Sequence, residues 1–461
     1  MQKYDASGEQ IQCWDRHRLL DSSHHEVLTV HSVVRDLDTS SLKKAIELLI
    51  TRHESLRTFF RIIDGELKQC IIPYDGEIFA PSCHDMSAFD DREKVLGAIT
   101  DIISESKTRL TELTAPPLMR SHIFRMPGDE HYLFIVMHHI ISDDWSKLII
   151  YNEVSTFYQI LKEGRPVDIK PPELQLRDYA LWQKKWQEEN YERIHGYWVN
   201  KLLFLKEKPD PGELYRQHSK LSNYPGDAKD AGGEMTRERL VDILETGRAV
   251  AYSRRIRPTN YAQLLKFSSS YKTHICSVIA ASLQLLFYYL GEKKILIVMP
   301  VTGRFLPGAE SLIGYLIGNV YLYRSVVPDM RIRDFIEEGY EELLESTSIP
   351  IYDHHKMQLD GAKIRLYCNV HLNFINQEMA GNMQTDIEND NVHQPRDKPD
   401  YFALTCNATE FQNGLSFSWV YNQALYSPEG IAFMAEKQEA ILEAICRNPG
   451  MTTRELITSI E

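Results

Sequence analysis

Two ordered blocks of strands and helices, joined by a long polar connection, make this an α/β sequence. Three observations carry that reading. Residues 132–136 (Tyr-Leu-Phe-Ile-Val) and 295–299 (Ile-Leu-Ile-Val-Met) are short continuous apolar runs, the pattern of strands buried on both faces. Helical spacing of apolar residues recurs in both blocks, at Leu42, Ala45, Ile46, Leu49 and Ile50 in the first and across 274–291 in the second. Between the blocks, residues 206–236 shift to Lys, Asp, Gly and Pro with little apolar periodicity, which reads as a surface connection and a lobe boundary. With 461 residues, 43% of them hydrophobic and 25% charged, the chain can build a large core and has the composition of a soluble globular protein.

In chain order, residues 10–15 open the fold and Leu28 to Val34 alternates like a strand. The helix over 42–52 runs into Arg52-His-Glu-Ser-Leu-Arg57, whose charges read as a solvated helix end worth little energy, and then into a strand at Phe59 and Phe60. A strand over 68–73 and a helix over 92–111 follow. After Tyr132 to Val136, the apolar residues Leu148, Tyr151, Val154, Tyr158 and Leu161 predict a helix from Trp145, with Ser142 or Asp143 as its N-cap. Pro171-Pro172 stops that segment, and an amphipathic helix runs from Leu174 toward Tyr197 and Trp198, its aromatics reading as core. The second block has helices over 260–266 and 274–291, then the strand ending at Pro300. Residues 301–308 form a turn-rich loop, and 313–324 form an apolar run in which Gly314 and Gly318 suggest close backbone approach or a bulge. A helix over 330–346, a strand over 364–374, an acidic loop over 381–400, a strand pair at 401–406 and 414–421, and a closing helix over 428–448 complete the chain.

The formal charge of −13 argues against non-specific binding to nucleic acid or to an anionic membrane surface. Residues 1–8 show no basic segment followed by an apolar run, so no signal peptide is expected, and the stretch 275–290 is broken by Ser282 and Gln284 and is too short to span a bilayer. Seven scattered cysteines without a Cys-x-x-Cys pair suit free thiols in a reducing cytoplasm.

The chemistry concentrates in Met137-His-His-Ile-Ile-Ser-Asp-Asp-Trp-Ser146, where two imidazoles end a strand and two carboxylates begin a helix. Imidazole and carboxylate suit zinc or iron, but adjacent histidines leaving a strand point apart and no third ligand cluster accompanies them, so no metal is expected. No Gly-x-Ser-x-Gly elbow or cysteine partner supports a nucleophilic enzyme. One imidazole serving as acid, base or hydrogen-bond partner, with Asp143 holding the geometry, is the remaining chemical reading. Two incidental histidines in a loop are its bland counterpart.

These residues resemble the His-His-x-x-x-Asp-Gly signature of condensation domains of nonribosomal peptide synthetases. Residues 10–14 (Gln-Ile-Gln-Cys-Trp) resemble the family's opening motif, 52–58 (Arg-His-Glu-Ser-Leu-Arg-Thr) the second, and 177–182 (Arg-Asp-Tyr-Ala-Leu-Trp) the one after the active-site loop. Pro300-Val-Thr-Gly-Arg304, Ile313 to Asn319 and Ser348 to Tyr352 resemble later motifs in the family's order, so the similarity spans nearly the whole chain. The resemblance implies two chloramphenicol acetyltransferase-like lobes, residues 1–175 and 176–461, forming a V-shaped pseudo-dimer with a central tunnel. It implies an acyltransferase of nonribosomal peptide or hybrid polyketide biosynthesis, a route to antibiotics and other natural products, that joins a thioester donor to an amine, acting as a monomer in the cytoplasm. Donor and acceptor carrier proteins would bring substrates on 4′-phosphopantetheine arms, with no cofactor bound permanently.

By the same resemblance His139 is catalytic, and Asp143 pairs with Arg304 from the following lobe to set the loop. His138, Asp144, Trp145 and Ser146 complete the motif, while Gly314 and Asn319 belong to the tunnel or second lobe. One departure is Asp144 where the family has glycine, putting a carboxylate and a Cβ into the tightest part of the loop. A doubled aspartate also resembles recruitment domains of glycopeptide synthetases, which bind oxygenases and do not condense, although those usually lack the second histidine. A second departure is 218–254, which lacks the expected Pro-rich pattern. No adenylation motif or modifiable carrier serine is recognised, so the expectation is a free-standing enzyme or an excised domain. Amide formation, ester formation and silent recruitment are the three functions these features leave open.

Overall fold

The computed structural model describes residues 1–19, 27–89, 91–128, 130–203, 242–244, 246–292, 294–349, 368–376, 393–395, 401–411 and 414–460. The connection expected at 206–236, most of the departure at 218–254, the end of the 348–352 motif, the start of the 364–374 strand and most of the acidic loop at 381–400 lie outside the described residues. The chain divides into two compact units, Met1–Tyr191 with Thr302–Ile317, and Glu192–Val301 with Gly318–Glu461.

That division differs from a break at 175/176. The helix after residue 175 is tied to the N-terminus, where Gln183 accepts from the Gly8 amide at 2.7 Å and Lys184 pairs with Asp5 at 2.8 Å. The 302–317 segment joins the same unit through the Tyr179 hydroxyl, which reaches the Gly303 carbonyl at 2.6 Å. Arg304 therefore belongs to the first unit, where the resemblance had placed it in the following lobe.

The first unit runs β1 (Gln2–Asp5), α1 (Gly8–Leu19), β2 (Val27–Arg35), α2 (Thr39–Arg52), β3 (Thr58–Ile63), β4 (Glu66–Ile71), α3 (Gly76–Phe79), β5 (Ser82–Asp85), α4 (Arg92–Arg109), β6 (Met119–Arg125), β7 (Glu130–His138), α5 (Asp144–Lys162) and α6 (Leu176–Glu189). Its sheets have the orders β1-β4-β3, all antiparallel, and β2-β7-β6-β5, in which only β5 and β6 are parallel. Helix α2 starts where the Asp38 carboxylate accepts from the Ser40 and Ser41 amides, and it buries Leu42, Ala45, Ile46, Leu49 and Ile50. Those residues share one core with Ile135 and Met137 of β7 and with Ile150, Val154 and Tyr158 of α5. The buried face of α5 is thus Ser146, Ile150, Val154 and Tyr158, while Tyr151 is exposed, so packing turns the helix slightly from the stripe read off the sequence.

The second unit contains α7 (Tyr191–Lys201), β8 (Ala249–Arg255), α8 (Pro258–Ser270), α9 (Ile275–Tyr289), β9 (Lys294–Thr302), β10 (Ile317–Ser325), α10 (Ile332–Ser348), β11 (Val370–Asn376), β12 (His393–Pro395), β13 (Leu404–Phe411), β14 (Gly414–Asn422), α11 (Pro428–Arg447) and α12 (Thr453–Ser459). One sheet orders them β10-β9-β11-β13-β14-β8-β12, parallel from β9 through β13 and antiparallel from β13 to β12. Helix α9 is buried from Ile275 to Phe287, and Ser282 satisfies its hydroxyl on the Ile279 carbonyl. No helix among the described residues is long and apolar enough to cross a membrane.

Three sequence readings change. The 52–57 charges are not a solvated helix end: Arg57 donates to the Ile50 and Thr51 carbonyls, acceptors that the end of α2 leaves open, and to the Ile72 carbonyl just past β4. Beside it, buried His53 meets Glu153 at 2.9 Å and Glu54 meets Arg177 at 3.0 Å. The helix expected to continue to Trp198 breaks at Asn190, whose backbone and side-chain N–H groups both donate to the Trp186 carbonyl. The helix ending at Arg447 does not close the fold, because Thr452 and Glu455 form a reciprocal cap that starts α12.

His122 of β6 lies 2.8 Å from the Ser106 hydroxyl of α4 and 3.1 Å from His84 of β5. Burial, then His84 and Arg120, push its imidazole down to about 4. The native state therefore favours the neutral ring, and its contribution is complete above about 6.5 and lost as pH falls toward about 4. Urea unfolding from about pH 7 to about pH 4 should show a stability loss in which this ring contributes on the order of 3 kcal/mol. His122→Phe should reduce the pH-dependent loss by that amount.

Candidate active site

His138 and His139 leave β7 in opposite roles. The His138 ring is fully buried, and its Nδ1 accepts from the Ile140 amide at 3.0 Å. That nitrogen carries no hydrogen, so Nε2 is the N–H and points at His17 Nδ1, 3.4 Å away. His139 is half-buried, and its Nδ1 lies 2.6 Å from the Ser142 carbonyl, a group that only accepts. Nδ1 therefore holds the hydrogen and Nε2 keeps its lone pair. The Tyr315 ring meets this imidazole edge-on at 4.9 Å, and Arg16 donates to the Tyr315 hydroxyl at 3.2 Å.

The loop between ring and helix is short and fully bonded. His139–Ile141 form a 3₁₀ turn, the Ser142 amide returns to the His139 carbonyl at 3.0 Å, and the Ser142 hydroxyl donates to the His138 carbonyl at 3.1 Å. Asp143 then caps α5: its Oδ1 accepts from the Ser146 amide at 2.8 Å and hydroxyl at 2.7 Å, while the Asp143 amide donates to Ser146 Oγ at 3.2 Å. Arg304 closes on the same carboxylate with Nη1 at 2.7 Å from Oδ2 and Nη2 at 2.9 Å from Oδ1. Both side chains are almost wholly buried, at 4% and 1% exposure. The Leu316 amide adds a contact to Oδ2 at 3.3 Å, and Arg304 Nη2 also donates to the Leu312 carbonyl at 3.2 Å.

The remaining motif residues fasten the 302–317 segment or adjust charge. Trp145 donates from Nε1 to the Glu310 carbonyl at 2.8 Å and lies under the Arg304 guanidinium, 5.6 Å from the ring centre. Gly314 donates to Ser146 Oγ at 3.0 Å, and a Cβ there would stand 2.8 Å from the methyls of Leu176, so glycine permits this approach. Asn319 lies half-buried on β10 and belongs to the second unit.

Asp144 is exposed and sits at the first helical position. Among the described non-glycine residues only Asp36, Asp64 and Lys272 have positive φ, so the residue replacing glycine is accommodated without a left-handed backbone. Its carboxylate pairs with Lys147 at 2.7 Å. Although its side chain is 55% exposed, the protein atoms crowded around the carboxylate oppose its charge; Lys147 and then His139 overcome that and hold the carboxyl below its ordinary range. Tyr315 and the Ser142 and Glu310 carbonyls went unnoticed in the sequence; only Tyr315, between Gly314 and Gly318, carried a visible signal. Among the described residues no set of three His, Cys, Asp or Glu side chains is placed to hold a metal ion.

A family model described as the condensation domain matches residues 2–460. The chain belongs to the condensation domain family. It is 28% identical to a linear gramicidin synthase subunit from Brevibacillus parabrevis, over 96% of this chain and 8% of that protein. It is 25% identical to surfactin synthase subunit 1 of Bacillus subtilis (strain 168), over 99% of this chain and 12% of that protein. The chain thus spans only a small part of these curated relatives. Among solved structures, the condensation domain of the monacolin K polyketide synthase MokA aligns with a TM-score of 0.72 and 16% identity, covering 98% of this chain and 99% of that one. The X-domain from teicoplanin biosynthesis aligns with a TM-score of 0.72 and 18% identity, covering 98% and 97%. These likenesses show the condensation-domain fold.

Removing one member of the Asp143–Arg304 pair leaves a buried charge uncompensated. Arg304→Ala should lower the unfolding free energy by about 3–5 kcal/mol. Asp143→Ala with Arg304→Ala should cost less than the two single changes summed, which a double-mutant cycle from urea unfolding would measure.

Proposed function

We propose that this chain is a condensation enzyme that joins a carrier-bound acyl or peptidyl thioester to an amine, forming an amide. The observation carrying this reading is the 2.6 Å contact between His139 Nδ1 and the Ser142 carbonyl, which as an acceptor calls for the hydrogen on Nδ1 and leaves the Nε2 lone pair to take a proton. The relatives' names support it, since they describe parts of the gramicidin and surfactin synthases. Both reactants would arrive on 4′-phosphopantetheine arms of carrier proteins.

The amine nitrogen attacks the thioester carbonyl carbon, forming the C–N bond and a tetrahedral intermediate. An α-amine has a reference pKa of roughly 8, so a useful fraction is already nucleophilic at neutral pH. His139 Nε2 accepts the proton released as the bond forms. Collapse of the intermediate breaks the C–S bond, and the proton passes from the imidazolium to the departing thiolate. The Asp143–Arg304 pair holds the loop and stays outside the proton path. A hydroxyl acceptor would make proton removal by His139 indispensable and give an ester instead.

The doubled aspartate favours a second reading, a silent module that recruits another enzyme. A solved complex described as that of the X-domain and OxyB from teicoplanin biosynthesis aligns with a TM-score of 0.72 and 19% identity. The Lys147 partner of Asp144 and the ordered His139 ring support condensation over this alternative.

The test supplies an acyl-loaded donor carrier with amine-loaded or hydroxyl-loaded acceptor carriers and follows products by mass spectrometry. Amide should form with wild type, and His139→Ala should lower turnover by about 10²–10⁴-fold, as for loss of a positioned acid–base group. Product from neither acceptor, with tight binding of a partner enzyme, would favour recruitment. Asp144→Gly should retain activity if the Lys147 pair is only a local charge adjustment, with the initial rate as the measure.

A further inference from the structure

Glu9, in the first turn of α1, is fully buried. Gln183 Nε2 lies 2.9 Å from each of its carboxyl oxygens, and the Tyr179 hydroxyl lies 3.1 Å from Oε1. The same hydroxyl is 2.6 Å from the Gly303 carbonyl. That carbonyl can only accept and the phenol has one hydrogen, so the shorter contact takes it. The phenol oxygen then faces Glu9 Oε1 as an acceptor. Two oxygens hold at that separation when a hydrogen lies between them, and the carboxyl is the group able to supply it.

We propose that Glu9 is a neutral carboxylic acid that donates to Tyr179, which donates to the Gly303 carbonyl, making Glu9 a positioning residue for Arg304. Gly303 is held at both ends, since its amide donates to the Leu316 carbonyl at 2.5 Å. A Cβ on it would stand 2.9 Å from Glu9 Oε1 and 3.1 Å from the Tyr179 hydroxyl, so the backbone is drawn against the acid. The next residue is Arg304, whose guanidinium grips Asp143 and through it the loop of His139. The assignment rests on the reading of that loop as the catalytic one.

The setting agrees with a proton on Glu9. Burial raises its carboxyl above the ordinary range, outweighing its hydrogen bonds with Gln183, its own backbone N–H, Ser7 and Tyr179, all of them uncharged partners. No charged side chain figures among the causes of that shift, and five on the packed elements have partners of their own: Arg16 bonds to Tyr315, Arg177 to Glu54, Lys184 to Asp5, Lys185 to Glu189 and Arg304 to Asp143. The Asp178 carboxylate accepts from the Gln175 amide. An acid with a raised native pKa contributes stability that is complete at low pH and declines as pH rises through that value. Ionised Glu9 would draw the phenol hydrogen to itself and release Gly303.

The experiment uses the full chain and needs no substrate. Infrared spectra at neutral pH compare wild type with Glu9→Gln, and amide exchange in peptides covering 302–317 and 139–146 is followed against pH by mass spectrometry, corrected for intrinsic exchange. Wild type should show a protonated-carboxyl C=O band that Glu9→Gln lacks. Glu9→Gln, neutral and of the same shape, should keep wild-type protection at every pH. Tyr179→Phe and Glu9→Ala should exchange about tenfold faster in 302–317, as for loss of one buried hydrogen bond. Wild type should approach them as pH rises. Absence of the band, or a Glu9→Gln variant exchanging as fast as Glu9→Ala, would overturn the proposal. Neither readout depends on turnover, so failure of condensation would register separately.

Discussion

The two parallel hydrogen bonds between Arg304 and Asp143 hold together parts of the chain 161 residues apart, and the ordered His139 loop depends on them. Asp143 is at once the cap of α5 and the anchor of the 302–317 segment. A charge pair removed from water gains little net stability, because the desolvation cost consumes most of the attraction. It gains geometry instead: a carboxylate matched to a planar guanidinium has few alternative arrangements. The Ser146 hydroxyl, the Gly314 amide and the Trp145 indole add neutral bonds around the pair, each joining α5 to the same segment.

From that anchor, the distinction between adjacent histidines follows by local bonding. His138 is turned inward and spends Nδ1 on the Ile140 amide, so its ring braces the backbone. His139 is turned the other way and spends Nδ1–H on the Ser142 carbonyl, leaving its second nitrogen basic. The extra carboxylate of Asp144 does not strain this arrangement, because it occupies an ordinary helical position and is matched by Lys147. The loop of His139 can therefore retain its shape while a carboxylate and its lysine partner change the charge beside it.

Much of the framework was legible because it depends on local pattern. The strand ending at the histidines, a cap at Ser142 or Asp143 and the apolar face of α2 all follow from spacing and from which side chains can satisfy free amides; the structure settles the cap on Asp143. Arg57 was misread because a guanidinium that fills helix-end carbonyls looks, in sequence, the same as one in water. The break at Asn190 was missed for a related reason: its turn-back onto Trp186 interrupts an amphipathic pattern that continues on either side. Glu9 showed no signal at all, since a carboxylate in a first helical turn reads as favourable surface charge.

The sequence by itself determined the α/β class, the order of strands and helices around the two buried runs, and the candidacy of His139, Asp143 and Arg304 through their motif. Only the tertiary structure decided that Arg304 belongs to the first unit, that His139 rather than His138 keeps a basic nitrogen, and that Glu9 is sealed beside Tyr179. The reason is physical. Periodicity and capping are settled by neighbours within a few residues, whereas the pairing of a buried charge, the choice of tautomer and the loss of water around a carboxyl depend on groups brought together from distant parts of the chain.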